Sequence, residues 1–320
     1  MPKPCSERIL LGDIGATNAR FALLEGGEFR ALEWMTDANY PQFADVVRAF
    51  LERRGQPTLT AALLAVAGPV HDNRCQLTNR PWLIDGAALC QSFRLEWVRI
   101  VNDFEATAWS LSHLKPPNLR QLGQGHAVAG APLAVLGPGT GLGMSCYVPG
   151  ARGGQVIASE GGHATLPSTS AREDLVIERL RERFGYVSSE HAVSGMGLEN
   201  LYQAIAAIAD VDVPQRRAAD ITKAALDGTC PTSRTALDLF CAFLGSIAGD
   251  AALTLGARGG VYIAGGIAPR IIDFLERSEF RTRFEAKGRS RSYVEGIPTY
   301  VIVHPEATFV GLQALFQESR

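Results

Sequence analysis

Residues 97–101 form a largely apolar run that ends at Asn102-Asp103, and a helical pattern follows over 104–114. An aspartate where a strand hands over to a helix stands where open α/β sheets bind ligands, off the carboxyl ends of their strands. There it can serve as a base, or simply cap the helix. Further along, Glu160-Gly161-Gly162-His163 puts a carboxylate and an imidazole on a glycine-spaced loop. Such groups hold paired sugar hydroxyls, because both accept hydrogen bonds and histidine also donates. A metal site is the poorer reading, since no third ligand is near. Glu190 lies in another polar stretch and, taken alone, reads as solvated surface.

Two glycine turns point to phosphate. Gly12, Asp13, Ile14, Gly15, Ala16 and Thr17 stand between apolar runs at 9–11 and 21–24, the pattern of a β-hairpin. A glycine-rich tip offers exposed N–H groups to an anion. Thr17 adds a hydroxyl, and Asp13 a carboxylate for a hydrated divalent cation; an ordinary hairpin turn is the alternative. The plan recurs at 133–148, where Gly139, Thr140, Gly141 and Gly143 occupy the turn, so the chain reads as a duplicated unit. Neither turn fits a P-loop or a Rossmann fingerprint. Gly265-Gly266, after an apolar run from 261, could let a flat base lie on the backbone, or could be a plain strand-to-helix turn.

The elements that must position these groups alternate. Helical spacing covers 40–54, and 59–66 reads as a buried strand. Asp85 caps a short helix, and Pro116-Pro117 break the pattern where one domain passes to the next. A loop over 121–130 then leads to the second hairpin. Ser170-x-x-Glu173 is a capping box for a helix buried through Leu175, Ile177, Leu180 and Phe184. Helices follow over 198–208, 220–226 and 232–255, then a helical pattern from the glycine pair to about 284, a strand at 299–303 and a helix at 307–316. Such alternation predicts α/β layers.

Composition removes several classes of function. A formal net charge of −2, with 46% hydrophobic and 20% charged residues, is that of an ordinary globular protein and a poor nucleic-acid binder. No apolar stretch reads as a membrane span, and 1–8 carries no signal core, so a cytoplasmic protein is expected. None of the six cysteines has metal-ligand spacing.

The motifs at 12–20 (GDIGATNAR), 101–106 (VNDFEA), 137–143 (GPGTGLG), 159–163 (SEGGH), 193–202 (VSGMGLENLY) and 263–267 (IAGGI) occur in that order. Together they resemble the bacterial glucokinase family, within the hexokinase–actin superfamily, from about residue 9 to the last helix. Ala16 departs from the pattern, where relatives often have glycine. The cysteine-rich zinc motif of the related repressor/open-reading-frame/kinase branch is absent, as is an N-terminal helix-turn-helix. The resemblance implies a two-domain, ribonuclease H-like α/β fold with an active-site cleft between a small domain, 1–112 plus 304–320, and a large one, 113–303. It implies transfer of the γ-phosphoryl of ATP to the 6-hydroxyl of glucose, with Asp103 as base. Asn102, Glu160, His163 and Glu190 would bind the other hydroxyls. Residues 12–17 and the Gly139–Gly143 turn would contact the phosphates, Asp13 would hold Mg²⁺ through water, and Gly265 and Gly266 would meet the adenosine. A homodimer is the expectation for a soluble enzyme. A kinase for another hexose, an actin-like ATPase and a non-catalytic sugar sensor are the rival readings.

Overall fold

The computed structural model describes residues 7–15, 18–36, 40–77, 80–151 and 153–318. The chain separates into two compact units, Met1–Leu114 with Pro305–Arg320, and Lys115–His304. Each has its own hydrophobic core.

The first unit begins with β1 (Arg8–Ile14), β2 (Asn18–Glu25), β3 (Glu28–Thr36), α1 (Phe43–Glu52) and β4 (Ala61–Val66). A small hairpin, β5 (Arg74–Gln76) and β6 (Leu83–Asp85), leads to α2 (Gly86–Phe93), whose first turn Asp85 caps by accepting from Ala87 and Ala88. Then come β7 (Trp97–Asn102) and α3 (Asp103–Ser110). The sheet order is β3-β2-β1-β4-β7. The first three strands are antiparallel, whereas β1, β4 and β7 run parallel. Every residue of β4 is buried, as its unbroken apolar run requires of a central parallel strand.

The second unit holds β8 (Leu119–Leu122), β9 (Leu133–Pro138), β10 (Leu142–Val148), β11 (Gln155–Ser159), α4 (Ala171–Phe184), α5 (Gly195–Ile208), α6 (Ala218–Leu226) and α7 (Pro231–Leu255). It continues through β12 (Gly260–Ile263), α8 (Ile272–Arg277), α9 (Phe280–Glu285), α10 (Arg291–Glu295) and β13 (Thr299–Ile302). The chain then re-enters the first unit as α11 (Ala307–Glu318), which packs on α3. The second sheet runs β11-β10-β9-β12-β13-β8. Without β8 its order and strand directions repeat those of the first sheet, so the duplication read from the glycine turns extends to whole sheets.

Several sequence expectations need correction. Strands β3 and β11 were unforeseen because both lie on sheet edges with mixed exposure and lack an apolar run. Part of the expected 121–130 loop is strand, since β8 extends to Leu122. The helical pattern before 284 is two short helices, α8 and α9. Ser278 separates them, its hydroxyl donating to the Leu275 carbonyl and accepting from the Phe280 amide. Helix α7 corrects the expectation that no apolar stretch approaches the length of a membrane span: an 18-residue window of its 25 residues has a mean hydropathy of 1.6, enough by length and composition alone. In the fold, 83% of its apolar window is buried inside the second unit.

The capping box at α4 is half formed. Ser170 accepts from the Glu173 amide at 3.3 Å, but the Glu173 carboxylate turns to the Thr169 amide and to Arg283 of α9. Val176 rather than Leu175 fills the core, Leu175 being exposed. Burial alone pushes the Glu173 carboxyl up; the bonds from Arg283 and Thr169 outweigh it and hold it below its ordinary value. A lowered carboxyl stabilises the fold fully above about pH 5 and loses that contribution as the pH falls below about 4. Glu173→Gln is therefore expected to cost about 2 kcal/mol at neutral pH, with the gap to the parent protein narrowing in acid. Denaturant melts at pH 7 and pH 3 check this; a gap independent of pH would refute it.

Candidate active site

In the first unit, the candidate base sits where β7 becomes α3. The Phe104 amide donates to Asn102 Oδ1 at 2.8 Å and to Asp103 Oδ1 at 3.0 Å. Asn102 is the N-cap, so the helix does not depend on Asp103 for its cap. Asp103 is half-buried at the first helical position, where the helix dipole favours its negative charge. Nearby, burial and then the charge of Asp103 push the Cys75 thiol up. The Asn102 side chain is more committed than the sequence suggested. Its Nδ2 donates to the Gly68 carbonyl at 3.1 Å, which leaves a single N–H for any ligand.

Much of the described part of the first glycine turn is strand rather than tip. Gly12, Asp13 and Ile14 belong to β1, paired on one side to β2 and on the other to β4. Gly12 is a packing glycine: a Cβ there would lie 2.7 Å from Leu64 Cδ2. The Ile14 side chain is fully buried, and the Gly15 amide closes the hairpin onto the Asn18 carbonyl at 3.0 Å. Ala16 and Thr17 lie outside the described residues.

Asp13 Oδ2 accepts from Arg20 Nε at 3.0 Å and also from Arg20 Nη2. Its Oδ1 has no hydrogen-bond partner among the described residues. No group of three or more His, Cys, Asp or Glu side chains is placed to hold a metal among them. One oxygen available to a water, and no protein cage, fits Mg²⁺ carried by phosphates and water.

In the second unit the hairpin β9–β10 presents Gly139, Thr140 and Gly141 as a true tip. Gly139 donates to the Gly141 carbonyl and accepts from the Gly195 amide, both at 2.8 Å, which ties the tip to the start of α5. The amides of Thr140 and Gly141 have no hydrogen-bond partner among the described residues, leaving two adjacent donors for an anion. Gly143 is not part of the tip, since it pairs with Gly137 inside the sheet.

Glu190 is not the idle surface group that its surroundings in sequence suggest. It lies in the short 3-10 turn Ser189–His191, and its Oε2 accepts from the Leu142 amide at 2.8 Å. A Cβ on Gly141 would lie 2.3 Å from that oxygen, so glycine there admits the carboxylate. Glu160 precedes another 3-10 turn, Gly161–His163, and His163 ends it. They approach to 3.8 Å between Oε2 and Nε2 and are both exposed. Gly162 seats this turn on β10, where a Cβ would come within 1.8 Å of the Leu142 carbonyl oxygen. Leu142 thus receives Glu190 on its N–H and the Glu160–His163 turn against its C=O, so one residue sets the position of three candidate sugar ligands.

Gly265 has φ +80° and lies against the Pro138 carbonyl, where a Cβ would be 2.4 Å away, whereas Gly266 faces open space. Beside them is a cavity of about 430 Å³. Gly139 and Thr140 form one wall, Thr222, Lys223 and Leu226 of α6 another, and Ile267 and Arg270 a third. Of these groups the sequence singled out Gly139 and Thr140, and Ile267 only as the end of the 263–267 motif. Thr222, Lys223, Leu226 and Arg270 carry no motif to mark them.

The family profile described as Glucokinase matches residues 10–319. A glucokinase of Paramagnetospirillum magneticum is 45% identical over 318 residues, covering 98% of this chain and 99% of its own length. One from Cronobacter sakazakii is 41% identical and covers 97% of each chain. The crystal structure of a glucokinase from an Antarctic psychrotroph superposes with a TM-score of 0.88 at 33% identity, covering 97% of this chain and 99% of that one.

Proposed function

The chain belongs to the glucokinase family, and on that premise we propose that Asp103 is the base in transfer of the γ-phosphoryl of ATP to the 6-hydroxyl of glucose. The activity is that of an ATP-dependent sugar kinase. The observation that carries the assignment of Asp103 is its place at the end of β7, with Asn102 supplying the helix cap.

Phosphoryl transfer is loose, so the sugar hydroxyl turns acidic only as its oxygen bonds to phosphorus. A carboxylate, too weak a base for an alcohol in the ground state, suffices at that stage. Asp103 first orients the oxygen and then takes its proton. Glu160, His163 and Glu190 hold the remaining hydroxyls, and the last N–H of Asn102 is the donor it still offers. The amides of Thr140 and Gly141 bind phosphate oxygens, as do the 12–17 residues in the other unit. Asp13 would hold Mg²⁺ through water, and the ion would supply neutralisation of the charge that gathers on the phosphates. The base and ribose of ATP occupy the cavity beside Gly265 and Gly266. A cytoplasmic homodimer completes the reading.

A coupled assay over a panel of hexoses and phosphoryl donors tests it. Glucose-dependent ATP turnover is expected; turnover that ignores sugar would favour an ATPase. In the same assay, Glu160→Gln and His163→Ala are each expected to raise the KM for glucose about tenfold, the loss of one charge-assisted hydrogen bond. An unchanged KM in either variant would remove that residue from the sugar site.

A further inference from the structure

The geometry points to Arg270 as a residue that binds the phosphate tail of the nucleotide donor, an inference that rests on the reading of the cavity as the donor site. Two cations line that cavity. Lys223 is spent, its Nζ lying 2.6 Å from Asp227 Oδ2. Arg270 has no ion pair or side-chain hydrogen bond among the described residues. It stands in the short turn Ala268–Arg270 that follows the glycine pair, and it lines the same cavity as Gly139 and Thr140 of the tip.

Arg270 also borders a wider groove of about 720 Å³. The other arginines of that groove are engaged: Arg120 with Glu276 at 3.2 Å, and Arg277 with the Asp273 carbonyl at 2.9 Å. Asp273 lies in the groove without an ion pair to Arg270. Of the three arginines in the groove, Arg270 is the one whose side chain has no hydrogen-bond or ion-pair partner among the described residues. A guanidinium presents a planar fork of donors that matches phosphate oxygens, and the unpartnered amides of Thr140 and Gly141 offer donors to the same anion. The fold has placed an unpaired cation where the donor carries its negative charge.

Calorimetric titration of the full chain with ADP and with adenosine separates the tail from the base. Arg270→Gln is expected to weaken ADP binding roughly tenfold, the worth of one hydrogen-bonded charge contact, and to leave adenosine affinity unchanged. The KM for ATP should rise by a similar factor while the KM for glucose stays put. Arg270→Lys, which keeps the charge, should recover most of the ADP affinity. Arg270 is exposed, so folding should survive either change; if the glutamine variant does not fold, the lysine variant decides, a tenfold loss for adenosine and ADP alike counting against the proposal. ADP affinity unchanged in Arg270→Gln, or an equal loss for adenosine, which would mark a contact to the base, overturns the inference. A parent protein that binds neither ADP nor ATP would instead overturn the donor-site reading itself.

Discussion

Asp103→Asn is expected to lower kcat by roughly 10²–10⁴ while glucose binding remains measurable, because the amide can still orient a hydroxyl but cannot take its proton. The substitution is clean for a structural reason. Asn102 caps α3 through the Phe104 amide, and an amide oxygen at 103 can keep the second bond to that same N–H. Loss of the charge at the helix start should cost about 0.3–1 kcal/mol of stability, so the variant folds and its kinetics can be read. Steady-state rates with a glucose titration are the check. A near-normal kcat would transfer the base role to another group.

Gly162→Ala is the second large effect. A Cβ at that position would meet the Leu142 carbonyl oxygen at 1.8 Å and its carbon at 2.9 Å, both backbone atoms. Neither can rotate away, so the 161–163 turn must lift off β10 and carry Glu160 and His163 with it. Misplacement of binding groups by about an ångström costs on the order of 10²-fold, and that is the expected fall in kcat/KM for glucose. Gly161→Ala is the control. Its Cβ would approach Met144 Sδ at 2.5 Å, the far part of a flexible side chain that can move, and the expected loss is less than tenfold. Parent-like kinetics in Gly162→Ala would mean that the turn does not position the sugar.

Much of this was legible before the fold was known, and the exceptions share a cause. Apolar runs on either side of a glycine cluster announce a hairpin, and both hairpins formed. The sheets around them could be inferred because buried central strands such as β4 leave an unbroken apolar signature. Edge strands β3 and β11 leave none. The position of Asp103 was readable from the change of period at residue 102. What sequence could not supply was which atoms face which. Gly12 was legible only as a phosphate glycine, and the packing reason for it, that a Cβ there would meet Leu64 Cδ2, was not. Glu190 looked like surface and is bonded to Leu142, 48 residues away in the chain. The pairing of Glu173 with Arg283 spans 110 residues, and the wall of the cavity that includes Arg270 is assembled from α6 and the turn after β12. Contacts of that kind are fixed by tertiary packing, which overrides local preference and carries no local signature.

The most direct test of the account is an atomic structure of the chain with glucose and a non-hydrolysable ATP analogue. A carboxylate oxygen of Asp103 is predicted at roughly 2.6–3.2 Å from the sugar 6-oxygen, within reach of the proton that must leave. A sugar bound with its 6-oxygen out of contact with Asp103 would contradict it.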